Sequence, residues 1–415
     1  MDTVTRRRFL IASGVTGGVA VATGSGLVTW HELSQHAGSD PQPVGSKILV
    51  LVTLYGGNDG INTLVPYADP AYHDARPELA YAEGEVLHLD ASVGLNPAMK
   101  GMATLWREGR LAVVRGVGYP KPDHSHFRSM DIWQTASPDA PVNTGWIGRW
   151  LDATGDDPVR AVNIGTVLPP LAVGANSAAA ALPLGHETRL PADLETALRG
   201  LGTPDRSDSA AEALVRASFR AERTAAATFA SVLDPAVVQP DHDQVAAAGS
   251  AGGQQSLKAQ LDVVARCIKA GVPTSVYAVS LGGFDTHADE KGTQQTQLGV
   301  LDSALSGFLQ DMAGDPRGHG VVALAYSEFG RRVKANASQG TDHGTAGPVF
   351  VAGRPVQGGF YGAPPSLSDL DNGDLKVSTD FRDVYAEVAR KHLGLTDMST
   401  LFPGYSVGAG VGLLT

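Results

Sequence analysis

Five short apolar runs in this 415-residue chain each stop at, or lead out of, a cluster of carboxylate, histidine or serine. LVLVTLYGGND runs to Asp59, LAVVRGVGYPKPDHSH to Ser125 and His126, SVYAVSLGGFDTH to Asp285 and His287, and VVALAYSEFGR to Glu328 and Arg331. The fifth, PVFVAG, follows TDHG with Asp342 and His343. Continuous apolar runs of this length fit strands whose sheet is covered on both faces. If the strands are parallel, their carboxyl ends share one edge, where open α/β sheets bind ligands. Residues as distant as Asp59 and His343 then converge on one site of oxygen and imidazole donors. Such a site suits a divalent metal and hydrolytic chemistry.

Between the runs the pattern turns helical. Asn96 to Arg107 reads as a helix, Leu111 to Val117 as a strand, and Asp123 as the N-cap of a helix through HSHFRSMDIWQTA. Residues 160–205 hold short apolar pieces broken by proline and glycine, with no order legible. Helices follow at Ala210–Val232 and Ser256–Ala270, the second closed by Gly271, with a loop-like Pro235–Gln255 between them. Then come strand Thr274–Ser280, helix Thr293–Met312, strands Gly320–Tyr326 and Pro348–Ala352, and a closing helix Phe381–Leu393. Strands alternating with helices predict a doubly wound, mostly parallel sheet with helices on both faces. The expected organisation is one α/β domain over 46–415, carrying a helical insertion at 205–270.

The chain opens with Thr5-Arg6-Arg7-Arg8-Phe9-Leu10 ahead of a small-residue apolar stretch. This resembles the twin-arginine export signal, with residues 1–29 as signal segment and 30–45 as a polar linker. A retained membrane anchor is the alternative, because no clean cleavage site follows. Export of folded chains allows a metal to be loaded beforehand. The single cysteine, Cys267, excludes an intramolecular disulfide and fits folding in a reducing compartment. Cys267 lies on or near the apolar stripe of a helix, as a packed thiol does. The formal charge is −11; the first 29 residues carry three arginines against one aspartate, so the body is −13. An acidic body without a basic patch argues against nucleic-acid binding.

Each motif has a plain structural reading beside the chemical one. YGGNDGIN is either a tight Asn-Asp turn or a glycine-permitted approach of Asp59 to a ligand. Asp285 and His287, two residues apart on an extended stretch, point the same way and can reach one metal. Glu328 and Arg331 are either a surface ion pair or a metal carboxylate with an arginine for a substrate anion. His343 is the ligand candidate of TDHG, with Asp342 orienting it. Ser125, in a first helical turn with free amides, is the candidate nucleophile, and helix capping is its plain alternative. His126 is preferred over His124 as the working histidine there.

Together the stretches LYGGNDGINTLVPYADPAYHDARPELA, DHSHFRSMDIWQT, TGWIGRWLD, GGFDTHADEKGTQ, SEFGRRV, TDHGTAGPVFVAG and TDFRDVYAEVARKHLG resemble the bacterial "domain of unknown function 1501" family. They extend from about Lys47 to Leu395. That family in turn resembles a divergent branch of the alkaline phosphatase and sulfatase superfamily. The resemblance implies an alkaline phosphatase-like fold and a one- or two-metal site. It implies Asp59, Asp285, His287, Glu328 and His343 as metal ligands, with Ser125 as nucleophile. Two departures stand out: the Asp285-x-His287 spacing is short, and Phe329 follows Glu328 where a histidine is usual.

The expected function is an exported, metal-dependent hydrolase of phosphate or sulfate esters, using zinc, manganese, magnesium or calcium. Ser125 and His126 are expected at the chemistry, and Arg331 or Arg128 on the anionic group of a small ester. The twin-arginine export machinery is the expected partner. The alternatives are a non-catalytic envelope protein retaining the fold and one structural metal, or a protein whose 205–270 block docks a secreted component.

Overall fold

Strand β1 (Ile48–Leu54) sends its side chains alternately into two cores, as a pleated strand must. Ile48, Val50, Val52 and Leu54 enter one, Leu49 and Leu51 the other, and all are buried. Such a strand needs a packed layer on each side, and the computed structural model contains both. It describes residues 41–155, 157–165, 167–182, 184, 208–209, 212–213, 216, 256–408 and 410–414. The expected export segment, most of the linker and most of the 205–270 block, including nearly all of the helix at 210–232 and the loop at 235–255, lie outside the described residues.

The other strands of the main sheet are β2 (Leu111–Gly118), β3 (Ala161–Ile164), β4 (Ala180–Leu182), β5 (Val276–Leu281), β6 (Val321–Ser327), β7 (Gly347–Gly353), β8 (Gly359–Tyr361) and β9 (Thr379–Asp380). Their order is β8-β2-β7-β6-β1-β5-β3-β4, with β9 also on β2. β1 pairs in parallel with β5 and β6, and β3 in parallel with β4 and β5. Only β7 runs against its neighbours, pairing antiparallel with both β2 and β6. The expectation of a mostly parallel, doubly wound α/β sheet therefore holds, with one exception that matters. Because β7 is reversed, its beginning lies on the edge where its neighbours end. A residue preceding β7, such as His343, thus reaches the same edge as residues following β1, β5 and β6.

Helices α1 (Lys100–Arg107), α4 (Leu257–Ala270) and α5 (Glu290–Gly314) contribute to one core. In α5, Leu298, Leu301, Leu305, Leu309 and Met312 recur at three- and four-residue spacing, the period of one helical face. Helices α2 (His126–Thr135), α3 (Trp146–Thr154) and α6 (Phe381–Glu387) cover the opposite face. Helix α4, in the block read from sequence as an insertion, packs with α1 and α5 in the first core. Its closing residue is as expected, Gly271 at φ 77, while Ser256 stands just ahead of the helix as its N-cap and accepts from the Ala259 amide. At α2 the cap differs from expectation. Ser125 holds the N-cap position, and Asp123 instead accepts from the Ser125 amide at 2.8 Å. The closing helix turns π-helical at Val388–His392. No helix among the described residues is long and apolar enough to cross a membrane.

Candidate metal centre

Four segments deliver the site to the carboxyl edge. His126 is the first residue of α2. Asp285 and His287 lie between β5 and α5, and Glu328 directly follows β6. His343 sits in the loop before β7, where it forms an isolated antiparallel bridge with Arg331.

The centre of the cluster is Asp285 Oδ1. His287 Nε2 lies 3.0 Å from it, His343 Nε2 3.3 Å and His126 Nε2 3.5 Å. His287 Nε2 and His343 Nε2 are 2.9 Å apart. Donor atoms of His126, Asp285 and His343 all lie within 4.8 Å of one another. Two of the rings are oriented from behind. His126 Nδ1 donates to Glu328 Oε1 at 2.8 Å, and His343 Nδ1 donates to the His124 carbonyl at 2.7 Å. Their protons thus sit on Nδ1, leaving Nε2 lone pairs aimed at one point. Facing lone pairs repel unless a cation or proton lies between them, and back-side hydrogen bonds of this kind are how metal-ligating histidines are held. His126 Nε2 is buried and has no hydrogen-bond partner in the protein. His287 is held more loosely: its Nδ1 is 3.5 Å from Asp342, and its side chain is 46% exposed, at the mouth.

Phe329 backs the cluster. Its buried ring lies 4.8 Å, centroid to centroid, from both the His126 and the His343 rings. The residue that the resemblance marks as a lost histidine is here a wall that fixes two others. Asp285 is held below the usual carboxylate range: burial pushes it up, but the Arg331 guanidinium bonded to it prevails. Burial would lower His126, yet Glu328 and Asp285 together raise it. Burial, with the charge of Arg331 nearby, lowers His343.

Four residues expected at the chemistry, Asp59, Glu328, Arg331 and Arg128, have other duties. Asp59 is fully buried in an ion pair with Arg76, Nη1 to Oδ2 at 2.5 Å, and also caps the short helix Gly60–Thr63 by accepting from the Ile61 amide. Its lone pairs are spent there, so it is not one of the converging donors. Glu328, 1% exposed, accepts from His126 and from the Gly56 amide at 2.9 Å. It therefore orients a histidine rather than joining the donor set. Arg331 is buried and donates to the carbonyls of Gly57, Thr341, Gly56 and Phe284 and to Asp285 Oδ1 at 2.7 Å. With its guanidinium thus occupied, it cannot hold a substrate anion; it fixes Asp285. Arg128 is likewise engaged by Asp131 and the Pro138 carbonyl. Asp342 lies nearer His287 than its expected ward His343, which the His124 carbonyl orients instead. Ser125 stands exposed beside His126, its hydroxyl making no cap bond. The glycines of the YGGND turn admit protein rather than a ligand: a Cβ on Gly56 would lie 2.5 Å from the Asp285 nitrogen, and one on Gly57 2.2 Å from the Phe329 ring.

Fold and site together define a doubly wound α/β protein with a candidate metal centre at the carboxyl edge of its sheet. The chain belongs to the family described as "Protein of unknown function (DUF1501)", whose profile matches residues 118–406. No curated protein sequence matches it. Among solved structures it is similar to an alkaline phosphatase superfamily protein from Vibrio parahaemolyticus, at 10% identity and TM-score 0.37, covering 83% of this chain and 70% of that one. It is similar to the lipoteichoic acid synthase LtaP from Listeria monocytogenes at 9% identity and TM-score 0.39, covering 92% and 81%. A third likeness is to the C-terminal periplasmic domain of EcEptC from Escherichia coli, at 11% identity and TM-score 0.40, covering 90% of each chain. These likenesses are distant, and the fold class rests on the strand order itself.

Proposed function

We propose that this chain is an exported, single-metal hydrolase of phosphate or sulfate esters. The observation that carries the reading is the convergence of three imidazole Nε2 atoms on Asp285 Oδ1, two of them with Nδ1 committed elsewhere. His126, Asp285 and His343 would hold the ion, with His287 at the solvent side. A set of three imidazoles and one carboxylate favours zinc or another divalent transition ion over magnesium or calcium. A divalent ion there would supply Lewis acidity toward an ester oxygen.

The chain's own residues do the rest. Ser125, exposed at the start of α2 and adjacent in sequence to His126, is the nucleophile of this reading. The first-turn amides of α2 favour an oxyanion beside it. His287, loosely held and half exposed, leaves the solvent side open to an incoming ester. Small anionic esters are the proposed substrates and the twin-arginine machinery the proposed export partner, the latter from Arg6 and Arg7 alone; the acidic body supports no nucleic-acid partner.

Purified protein is expected to carry stoichiometric divalent metal by elemental analysis and to lose it in the Asp285→Ala/His287→Ala double variant. Unchanged metal content in that variant overturns the site. A panel of aryl phosphates and sulfates with added zinc, manganese, magnesium or calcium should show turnover that disappears in Ser125→Ala. Bound metal with no turnover on any ester would support the second reading, a non-catalytic envelope protein with a structural ion. The full engagement of Arg331 by protein acceptors favours that reading.

A further inference from the structure

The weakest joint in the cluster should be the segment preceding α2, because His343 is oriented by a backbone carbonyl rather than a side chain. That carbonyl belongs to His124, in the irregular stretch between β2 and α2. A carbonyl keeps its direction only if its segment is anchored. One anchor is internal: the Asp123 amide and carbonyl meet the Tyr119 hydroxyl at 3.0 and 3.2 Å, and Ser129 Oγ donates to the same carbonyl at 2.6 Å. The other anchor comes from far along the chain. Asp374, buried in the hairpin Leu370–Asp371/Asp374–Leu375, accepts from His124 Nε2 at 2.9 Å. Its second oxygen lies 3.4 Å from Arg332 Nε. Arg332 follows Arg331, the residue bridged to His343, and its amide donates to the Asp342 carbonyl at 3.0 Å. Asp374 therefore ties together the two segments that meet at His343 Nδ1.

We propose that Asp374 is a positioning residue of the metal centre, acting through the His124 carbonyl to keep the proton of His343 on Nδ1 and its Nε2 aimed at Asp285. Losing Asp374 frees the His124 side chain, lets the carbonyl swing, and removes the acceptor that selects the tautomer. The consequence for metal affinity rests on the metal reading of the cluster. The tautomer does not, since it is set by the protein alone.

The test is nitrogen-15 NMR of histidine-labelled, metal-free protein at roughly pH 8, where exposed imidazoles are neutral, joined to zinc titration against a chelator. Wild type should show His343 with its proton on Nδ1. Asp374→Ala and His124→Ala should each populate the Nε2–H form and weaken zinc binding by about 10- to 100-fold, the range for outer partners of metal ligands. Because both act through one link, the double variant should be no weaker than the singles. Asp374→Asn, which keeps an acceptor for His124, should restore the wild-type tautomer and most of the affinity. The exposed His124→Ala change covers the case in which Asp374→Ala does not fold. An unchanged His343 tautomer in His124→Ala overturns the proposal, whatever happens to melting temperature. Absence of zinc binding in wild type would instead fell the metal reading, and the tautomer shift would still decide this one.

Discussion

At the scale of the residue, the duty of a carboxylate here is decided by the donor it meets. Asp59 and Glu328 both follow strands and both lie buried at the same sheet edge, yet Asp59 faces Arg76 and Glu328 faces His126. The two should therefore fail differently. Glu328→Gln is expected to weaken metal binding by about 10- to 100-fold with modest loss of stability, since the orientation of His126 is what it supplies. Asp59→Ala is expected to cost on the order of 3–5 kcal/mol of stability by stranding the buried Arg76 charge. It should leave the metal affinity of the folded fraction near wild type. Denaturant titration and chelator competition on both variants check the contrast, and a large affinity loss in Asp59→Ala would return that residue to the donor set.

At the scale of the element, the turn after β1 packs directly against the segment that carries Asp285 and against the Phe329 ring. Gly56 and Gly57 have φ of 114 and 68, in the region that favours glycine. Backbone or ring lies against each: a Cβ on Gly56 meets the backbone of Phe284–Asp285, and one on Gly57 meets the Phe329 ring at 2.2 Å. Gly56→Ala is expected to destabilise by about 1–3 kcal/mol from backbone strain, with more from the displaced Asp285 segment. It should also loosen metal, because Asp285 cannot move without leaving the three imidazoles. A variant with wild-type melting temperature and metal content would show that the turn yields freely. The glycines of this turn were legible as a bend; that they clear space for the Phe284–Asp285 backbone and the Phe329 ring rather than a ligand was not, because those residues are more than 200 positions away.

At the scale of the whole molecule, one buried group links pH to the fold. Glu290 is fully buried at the start of α5, accepts from Thr341 Oγ1 at 2.6 Å, and is pushed up to about 9 by burial and by the Asp59 carboxylate beside it. With Arg76 as the cation of this cluster, Asp59 keeps the negative charge and Glu290 keeps its proton. In the unfolded chain Glu290 releases that proton near its ordinary value, about 4.3. Between that pH and about 9 the folded state holds one more proton, so its contribution to stability declines as pH rises. The slope limit for one proton is about 1.4 kcal/mol per pH unit. Glu290→Gln keeps the shape without the charge and should flatten this decline. Denaturant midpoints between roughly pH 5 and 9 test it; parallel curves for wild type and variant would refute a neutral Glu290.

The sequence by itself determined the elements and the edge. Apolar runs of strand length, helical stripes such as that of α5, and the Gly271 stop are local patterns, and local patterns act through neighbours in the chain. They also placed Asp285, His287 and His343 at strand ends that the sheet brings together. The four short strands β3, β4, β8 and β9 were not legible, since two to four residues carry too little pattern to register. Only the tertiary structure decided which groups face one another. Asp59 went to Arg76, Glu328 and the His124 carbonyl to the backs of two histidines, and Arg331 to a ring of carbonyls. The reversed direction of β7 put His343 on the common edge. Pairings of this kind depend on where side chains point in space across hundreds of residues, and no spacing along the chain encodes that direction.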